Sequence, residues 1–463
     1  MGKQGEVQID ADLCTGCQRC IEVCPVDAIT GARGKSQQIK QERCVRCGQC
    51  VQICSGYAAA CEHSAAAIAE KKKLRGLPQD YDGPIFAAHY MGVYAKVKAA
   101  LAQKSRYKMV QCAPAVRVAL AEDFGMNLGT LTPGKLAAAL RRIGFDQVYD
   151  TNFGADLTIM EEASELLYRI QNNGVLPMFT SCCPAWVSFV ESQYPQLIPH
   201  LSSCKSPQQM TGAMCKTYGA QKMGIEASRM YGVAIMPCTC KEYEAEREEL
   251  ADSGYRDVDA VLTTVELAYM IKEAGIDFAA LPEEGFDLPL GFYSGAGTLF
   301  GVTGGVTEAA LRTAYERLTK KKLTPDKIEG LREGRGKKSI KIELEGLTLK
   351  TWIVAGLKAA EPLLKQVEAG RADFQFMEVM TCPEGCISGG GQPKLYLGNR
   401  VQVAYDKRRA GLYQHDQEQA IHTSHENPEI QQLYQEFLGE PLGHVSHKLL
   451  HTTYHHVKKP SIL

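Results

Sequence analysis

No run of about 18 or more apolar residues occurs in the chain, so no membrane-spanning helix is expected. The opening residues, MGKQGEVQID, are polar and lack the apolar core of a secretory leader, which points to a cytoplasmic protein. A surplus of one charge is missing too: 52 basic and 53 acidic side chains leave a formal net charge of -1. Nothing in that balance recruits nucleic acid or an anionic membrane. Cysteine is absent from one long interval, between Cys240 and Cys382. The 463 residues are enough for about two or three domains with real cores.

What the chain has in quantity is cysteine. There are 18, of which nine precede residue 62. In a cytoplasmic setting such clusters bind metal rather than form disulfides. Exposed metal–thiolate clusters oxidise, so an anaerobic or low-oxygen cytoplasm is inferred.

Cys14, Cys17, Cys20 and Cys24 form CxxCxxCxxxCP, closed by Pro25, and the pattern repeats as Cys44, Cys47, Cys50 and Cys54, with Ser55 in place of the proline. This is the two-cluster ferredoxin run, in which the fourth cysteine of each quartet ligates the other cluster. Cys14, Cys17, Cys20 and Cys54 are expected to hold one [4Fe–4S] cluster, and Cys44, Cys47, Cys50 and Cys24 the other. A pair of structural zinc ribbons would instead need two spaced cysteine pairs. Cys61 is read as a small core residue. The module spans residues 1–80, and Ala69 to Phe86, with its charge run, Gly and Pro, reads as a linker.

Further on, three apolar runs each end in cysteine. Val175 to Phe179 leads into Thr180-Ser181-Cys182-Cys183-Pro184-Ala185-Trp186, Gly232 to Ile235 into Met236-Pro237-Cys238-Thr239-Cys240-Lys241, and Phe374 to Met380 into Cys382, Cys386 and Gly389-Gly390-Gly391. Such strands suggest one cofactor at the carboxyl edge of a parallel sheet. The glycines let the backbone approach something bulky. Cys182 and Cys183, being adjacent, point apart on an extended backbone.

Together, TSCCPxW, MPCxxKxxE and ExMxCxxGCxxGGGQP resemble the three signatures of [FeFe]-hydrogenases, in order, and the resemblance runs from about residue 1 to the end. It implies an α/β fold. A two-lobed catalytic domain over residues 81–410 (lobes about 86–250 and 251–410) has parallel or mixed sheets flanked by helices. A small α+β ferredoxin-like domain precedes it, and a helical, small-subunit-like tail, 411–463, follows. It also implies reversible hydrogen oxidation at an H-cluster, a [4Fe–4S] cubane linked to a diiron unit with CO, cyanide and azadithiolate. Cys183, Cys238, Cys382 and Cys386 would ligate it. Cys182 would be the free proton-carrying thiol, and Lys241 would hold a cyanide. Ala113, Pro114, Ser206, Gln208, Met236, Phe300, Gly301 and Met380 would surround the diiron unit.

Glu161, Glu162 and Glu165 lie on one predicted helix, Leu157 to Ile170. By composition they are a solvated acidic face. The resemblance instead makes Glu162, Glu165 and Ser202 a proton path, with Glu244 a further acidic member. Ferredoxin or flavodoxin would be the electron carrier, H2 and protons the substrates, maturation enzymes the suppliers of the organometallic half, and the protein a monomer. Ala115, Ala185 and Cys240 depart from the commoner pattern. Cys204 and Cys215 read as packing residues, and His200 as a surface residue at a helix end. His447 and His451, at helical spacing, could bind zinc but read as part of a histidine-rich surface helix.

Overall fold

The computed structural model describes residues 5–58, 64–75, 77, 81, 83–323, 328, 330–333, 335–344, 346–395 and 398–457. Cys61 lies outside them. Two four-stranded sheets carry the molecule. The first runs, in spatial order, Ala260–Thr263, Met230–Met236, Tyr107–Cys112, Gln147–Asp150, and is parallel throughout. Its central strand, MYGVAIM, is almost wholly buried, as expected of a strand covered by helices on both faces. The second runs Lys337–Leu344, Leu347–Ala355, Phe376–Met380, Met178–Phe179. Its first two strands form an antiparallel hairpin and the others add in parallel.

The sheets interleave along the chain. Ala260–Thr263 joins the first sheet, whereas Met178–Phe179 crosses to the edge of the second. A lobe division near residue 250 therefore does not describe the sheets. The three cysteine-bearing strands belong to two sheets, not one.

Helices begin where the strands end, with local chemistry fixing the junctions. Asp150 accepts from the Asn152 amide to start Thr151–Gln171. Thr263 and Glu266 form a reciprocal capping box. Gly144, at φ 112, ends Pro133–Ile143. Arg117, buried among these elements, pairs with Asp150 at 2.7 Å.

The N-terminal unit holds two short helices, Arg19–Glu22 and Gln49–Ile53, and small antiparallel pairs. One pair joins Val7–Ile9 to Ala88–Tyr90. The stretch expected as linker is partly folded: Ala65–Leu74 is a helix whose Lys71, with Arg75 beyond it, pairs with Asp10 at 2.8 and 3.0 Å. The charge run is thus an anchor. The tail begins with a long helix, Gly398–Glu418, which spans the boundary expected at 410. Asn427 caps Pro428–Leu433 through the Glu429 and Ile430 amides, and Gly439 ends the following turn.

Candidate metal centre

Where the carboxyl ends of the two sheets meet, a cavity leaves about 770 Å3 unfilled by protein atoms. Cys183, Cys238, Cys382 and Cys386 all line it, and so does Cys182. Sequence alternation would send Cys182 and Cys183 apart, yet both thiols border the same space. The reason is local: the strand stops at Phe179, and Cys183 is the turn residue before Pro184 starts the helix Pro184–Gln193. The Trp186 indole N–H donates to the Thr180 carbonyl at 3.0 Å and clamps that turn.

The glycines of the last motif serve protein packing. A Cβ on Gly390 would lie 2.5 Å from the Gly48 backbone of the N-terminal unit. One on Gly391 would lie 2.7 Å from the Thr263 side chain, and one on Gly389 would strike the Pro237 carbonyl. The bulky neighbours inferred from sequence are backbone at Gly389 and Gly390 and a threonine side chain at Gly391, and the effect is to draw three chain segments together. Gly385, at φ 79, could not carry a side chain without meeting Thr303 and Val302.

The rest of the cavity lining is mostly apolar. Met236, Met380, Phe300, Ala113 and Pro114 line it, as does Gln208. Gly301 does not: a Cβ there would collide with Leu412 of the tail helix, so its smallness admits the tail. Lys241 reaches the cavity with a fully committed ammonium. It donates to the Cys182 carbonyl at 3.1 Å, the Ser206 hydroxyl at 2.8 Å and Glu244 at 2.8 Å. Burial alone would lower its pKa, but the Glu244 carboxylate more than reverses this and holds it charged. Glu244 also accepts from Ser206 at 2.8 Å and Gln208 at 3.2 Å, so it acts as the counter-ion of Lys241. Ser206 and Glu244 stand behind the wall rather than in it.

Glu161, Glu162 and Glu165 are all buried, so the acidic face is not solvated. Burial, then the neighbouring Glu165, push the Glu162 carboxyl up to about 8. Among the described residues neither of its oxygens has a hydrogen-bond partner. Ser202 is near enough to act on it, but its hydroxyl is committed to Glu165 at 2.9 Å. Burial, and next the proximity of Glu162, raise the Cys182 thiol well above its ordinary range, so it stays protonated near neutrality. Glu162, Ser202 and Glu165 thus lie together in the interior, with the Arg169 guanidinium 2.6 Å from Glu165.

In the N-terminal unit, Cys14, Cys17, Cys20 and Cys54 line one small cavity of about 340 Å3, the crossed set expected from the spacing. Cys24, Cys44 and Cys47 are the thiols whose charge acts on Cys50, along with Cys20. Sequence reasoning missed how closely this unit docks. Cys47 itself lines the large cavity, and the Gln49 amide lies 3.3 Å from the Cys382 sulfur. The Gln49 side chain also donates to the Ser388 carbonyl at 2.9 Å. Cys240, a further cavity residue, donates its thiol to Cys238 at 3.5 Å and so favours the Cys238 thiolate. Only its position between two motif residues hinted at this.

One expectation in the tail is corrected: His451 is buried, not superficial, with Glu161 3.0 Å from its Nε2. Cys204 packs in the core as expected, with Glu165 3.7 Å from its sulfur. His200 is half-buried, stacked on Phe179.

The donor set suits a large iron–sulfur group. Four cysteines line a cavity whose other lining is mainly apolar and includes two thioethers, and a buried lysine held charged by Glu244 stands at its edge. The fold and this site define a protein that shelters one extended iron–sulfur centre and wires it to the surface through two more clusters. Three family models divide the chain: a 4Fe-4S dicluster domain over 6–55, the iron only hydrogenase large subunit, C-terminal domain over 106–390, and the iron hydrogenase small subunit over 402–457. The chain belongs to the iron-only, or [FeFe]-, hydrogenase family; it carries an H-cluster domain and two further [4Fe–4S] sites. It is 50% identical over 365 residues to the NADP-reducing hydrogenase subunit HndD of Solidesulfovibrio fructosivorans, covering 78% of this chain but 62% of that protein. With the periplasmic [Fe] hydrogenase large subunit of Nitratidesulfovibrio vulgaris it shares 44% identity, over 88% of this chain and 90% of the relative. Protein NAR1 of Arabidopsis thaliana is 32% identical, over 77% of this chain and 79% of its own. The solved [FeFe]-hydrogenase HydA1 from Chlamydomonas reinhardtii superposes with a TM-score of 0.69 at 45% identity, covering 78% of this chain and 98% of that one.

Proposed function

We propose that the protein is a cytoplasmic, monomeric [FeFe]-hydrogenase interconverting H2 with protons, with ferredoxin or flavodoxin as electron carrier. The observation that carries this is a free thiol, Cys182, bordering the same cavity as the four candidate ligands and leading into buried Glu162, Ser202 and Glu165. An iron–sulfur assembly role, the one carried by relatives named as cytosolic iron–sulfur assembly components, would need the cubane ligands alone. It gives no reason for Cys182, Lys241, Met236 and Met380 around the cavity. Among the described residues no two cysteines are joined in a disulfide. Among the described residues no helix is long and apolar enough to cross a membrane.

Cys183, Cys238, Cys382 and Cys386 would anchor the H-cluster, and Lys241 would hold its diiron half. The bound cluster supplies the heterolytic chemistry of hydrogen and the electrons' point of entry. Cys182 carries a proton at its sulfur, Glu162 receives it because its raised pKa lets it titrate near neutrality, and Ser202 passes it to Glu165. Met236, Met380 and Phe300 exclude water. Cys47 and Gln49 bring the second ferredoxin cluster beside Cys382. The organometallic half would come from maturation enzymes.

The test is infrared spectroscopy and hydrogen evolution on fully matured protein. CO and cyanide bands with activity are expected. Cys182→Ala should keep the bands and lose turnover by about 10²-fold or more. Iron confined to cubanes, with no such bands, would move the protein to the assembly class.

A further inference from the structure

The relay proposed above reaches Glu165, and on one side its next neighbour is Arg169. Arg169 is permanently charged, and it is fully engaged: beyond Glu165 it donates to the Val175, Pro199 and Leu201 carbonyls. A second set of groups meets Glu165 from the other side, and the tail supplies its key member. Cys204 Sγ lies 3.7 Å from Glu165 Oε2 and 4.0 Å from His451 Nδ1. His451 Nδ1 is also 2.8 Å from the Ser203 hydroxyl, and Ser203 is partly exposed. The Nε2 side faces Glu161 at 3.0 Å, and the ring stacks on that of exposed His447, centroids 4.7 Å apart.

The tail is pinned here by backbone as well. Lys205 N donates to the Leu450 carbonyl and Thr452 N to the Ser203 carbonyl, both at 2.8 Å. Tyr434 and the Leu442 amide bind Glu161, holding it opposite the imidazole. Among the described residues the titratable groups around His451 are Glu161 and Glu165 from the helix, Cys204 from the loop, His447 from its own helix, and Tyr434 behind Glu161.

We infer that the small-subunit-like tail supplies a proton port to the relay, His451 exchanging protons with Glu165 through the Cys204 thiol. Inward, the imidazolium Nδ1 proton passes to the Cys204 sulfur as the thiol proton passes to Glu165 Oε2, so the thiol remains neutral. His451 regains its proton from solvent by way of the Ser203 hydroxyl. Outward transfer is the reverse. An imidazole has two ring nitrogens that can each donate or accept a proton, which suits it to this station where an always-charged guanidinium is not. The inference rests on the relay reading of Glu162 and Glu165.

The test uses matured holoenzyme, with dye-driven hydrogen evolution followed across pH. His451→Gln keeps a polar side chain of similar reach, and Cys204→Ala removes the bridge; each should slow turnover about tenfold, the low side of a positioned proton transfer because the Arg169 side stays open to water. Cys204→Ser, which keeps a bridging proton, should restore most of the rate. In His451→Ala, added imidazole should restore turnover. Infrared bands should be unchanged in all. Normal rates and an unaltered pH profile in His451→Gln and Cys204→Ala would overturn the port. So would losses that neither imidazole nor serine repairs, since they would mark a packing role. Glu162→Gln separates the two layers: if it turns over normally the relay itself has failed, and if it is slow while His451→Gln is normal only the port has failed.

Discussion

Glu162 offers a prediction in which stability and turnover move in opposite directions. Its carboxyl is buried, has no hydrogen-bond partner among the described residues, and has its pKa raised from 4.5 to about 8. An acid whose pKa is higher folded than unfolded binds its proton more tightly in the native state. It contributes nothing below pH 4.5, where both states are protonated, and costs stability as pH rises from there to about 8. At about 1.4 kcal/mol per pH unit the full cost approaches 5 kcal/mol, and near pH 7 it is about 3 kcal/mol. Glu162→Gln has the same shape, loses no bond the acid makes, and removes the ionisation. Taking about 2 cal/mol/K of unfolding entropy per residue, the variant should melt about 3 °C higher near neutrality. The gap should close as pH falls toward 4.5. Hydrogen evolution should drop by about 10²-fold in the same variant. Thermal melts of cluster-loaded protein over this pH range, beside activity assays, measure both. A melting difference that does not vary with pH, or a variant less stable throughout, would refute the claim that Glu162 is stored as a desolvated acid.

Three further outcomes are expected. Glu244→Ala should strand the buried Lys241 ammonium and cost about 3–5 kcal/mol, the scale for breaking a buried pair, with weaker retention of the diiron half seen as loss of cyanide bands. Gly390→Ala should push the N-terminal unit off the cavity, because its methyl would meet the Gly48 backbone; exchange with protein carriers should slow while activity with small dyes persists. Cys240→Ala should remove the thiol that donates to Cys238 and shift the cubane potential in protein-film voltammetry, since hydrogen bonds to cluster sulfurs tune it.

The motif cysteines and their strands were legible because periodicity and spacing are local properties. The strands Met230–Met236 and Phe376–Met380 lie where apolar runs predict them. What was illegible is non-local. No pattern near Met178 says that two residues cross to pair with Phe376 and Met377. Glu161 looked solvated because the groups that bury it, Tyr434, Leu442 and His451, lie over 270 residues away along the chain. His451 looked superficial for the same reason. The three glycines after Cys386 were recognised as a close approach, but only the fold shows that Gly48 and Pro237 are what they approach.

The crossing of Met178–Phe179 sets an order of events during synthesis. That short strand meets Leu201 through a single bridge, but its sheet partner near Phe376 leaves the ribosome roughly two hundred positions later. The thiols of the first signature cannot be fixed relative to those of the third before then. An inorganic cargo that must touch both can be received only by a chain already finished, so premature termination anywhere upstream should yield protein unable to bind it at all.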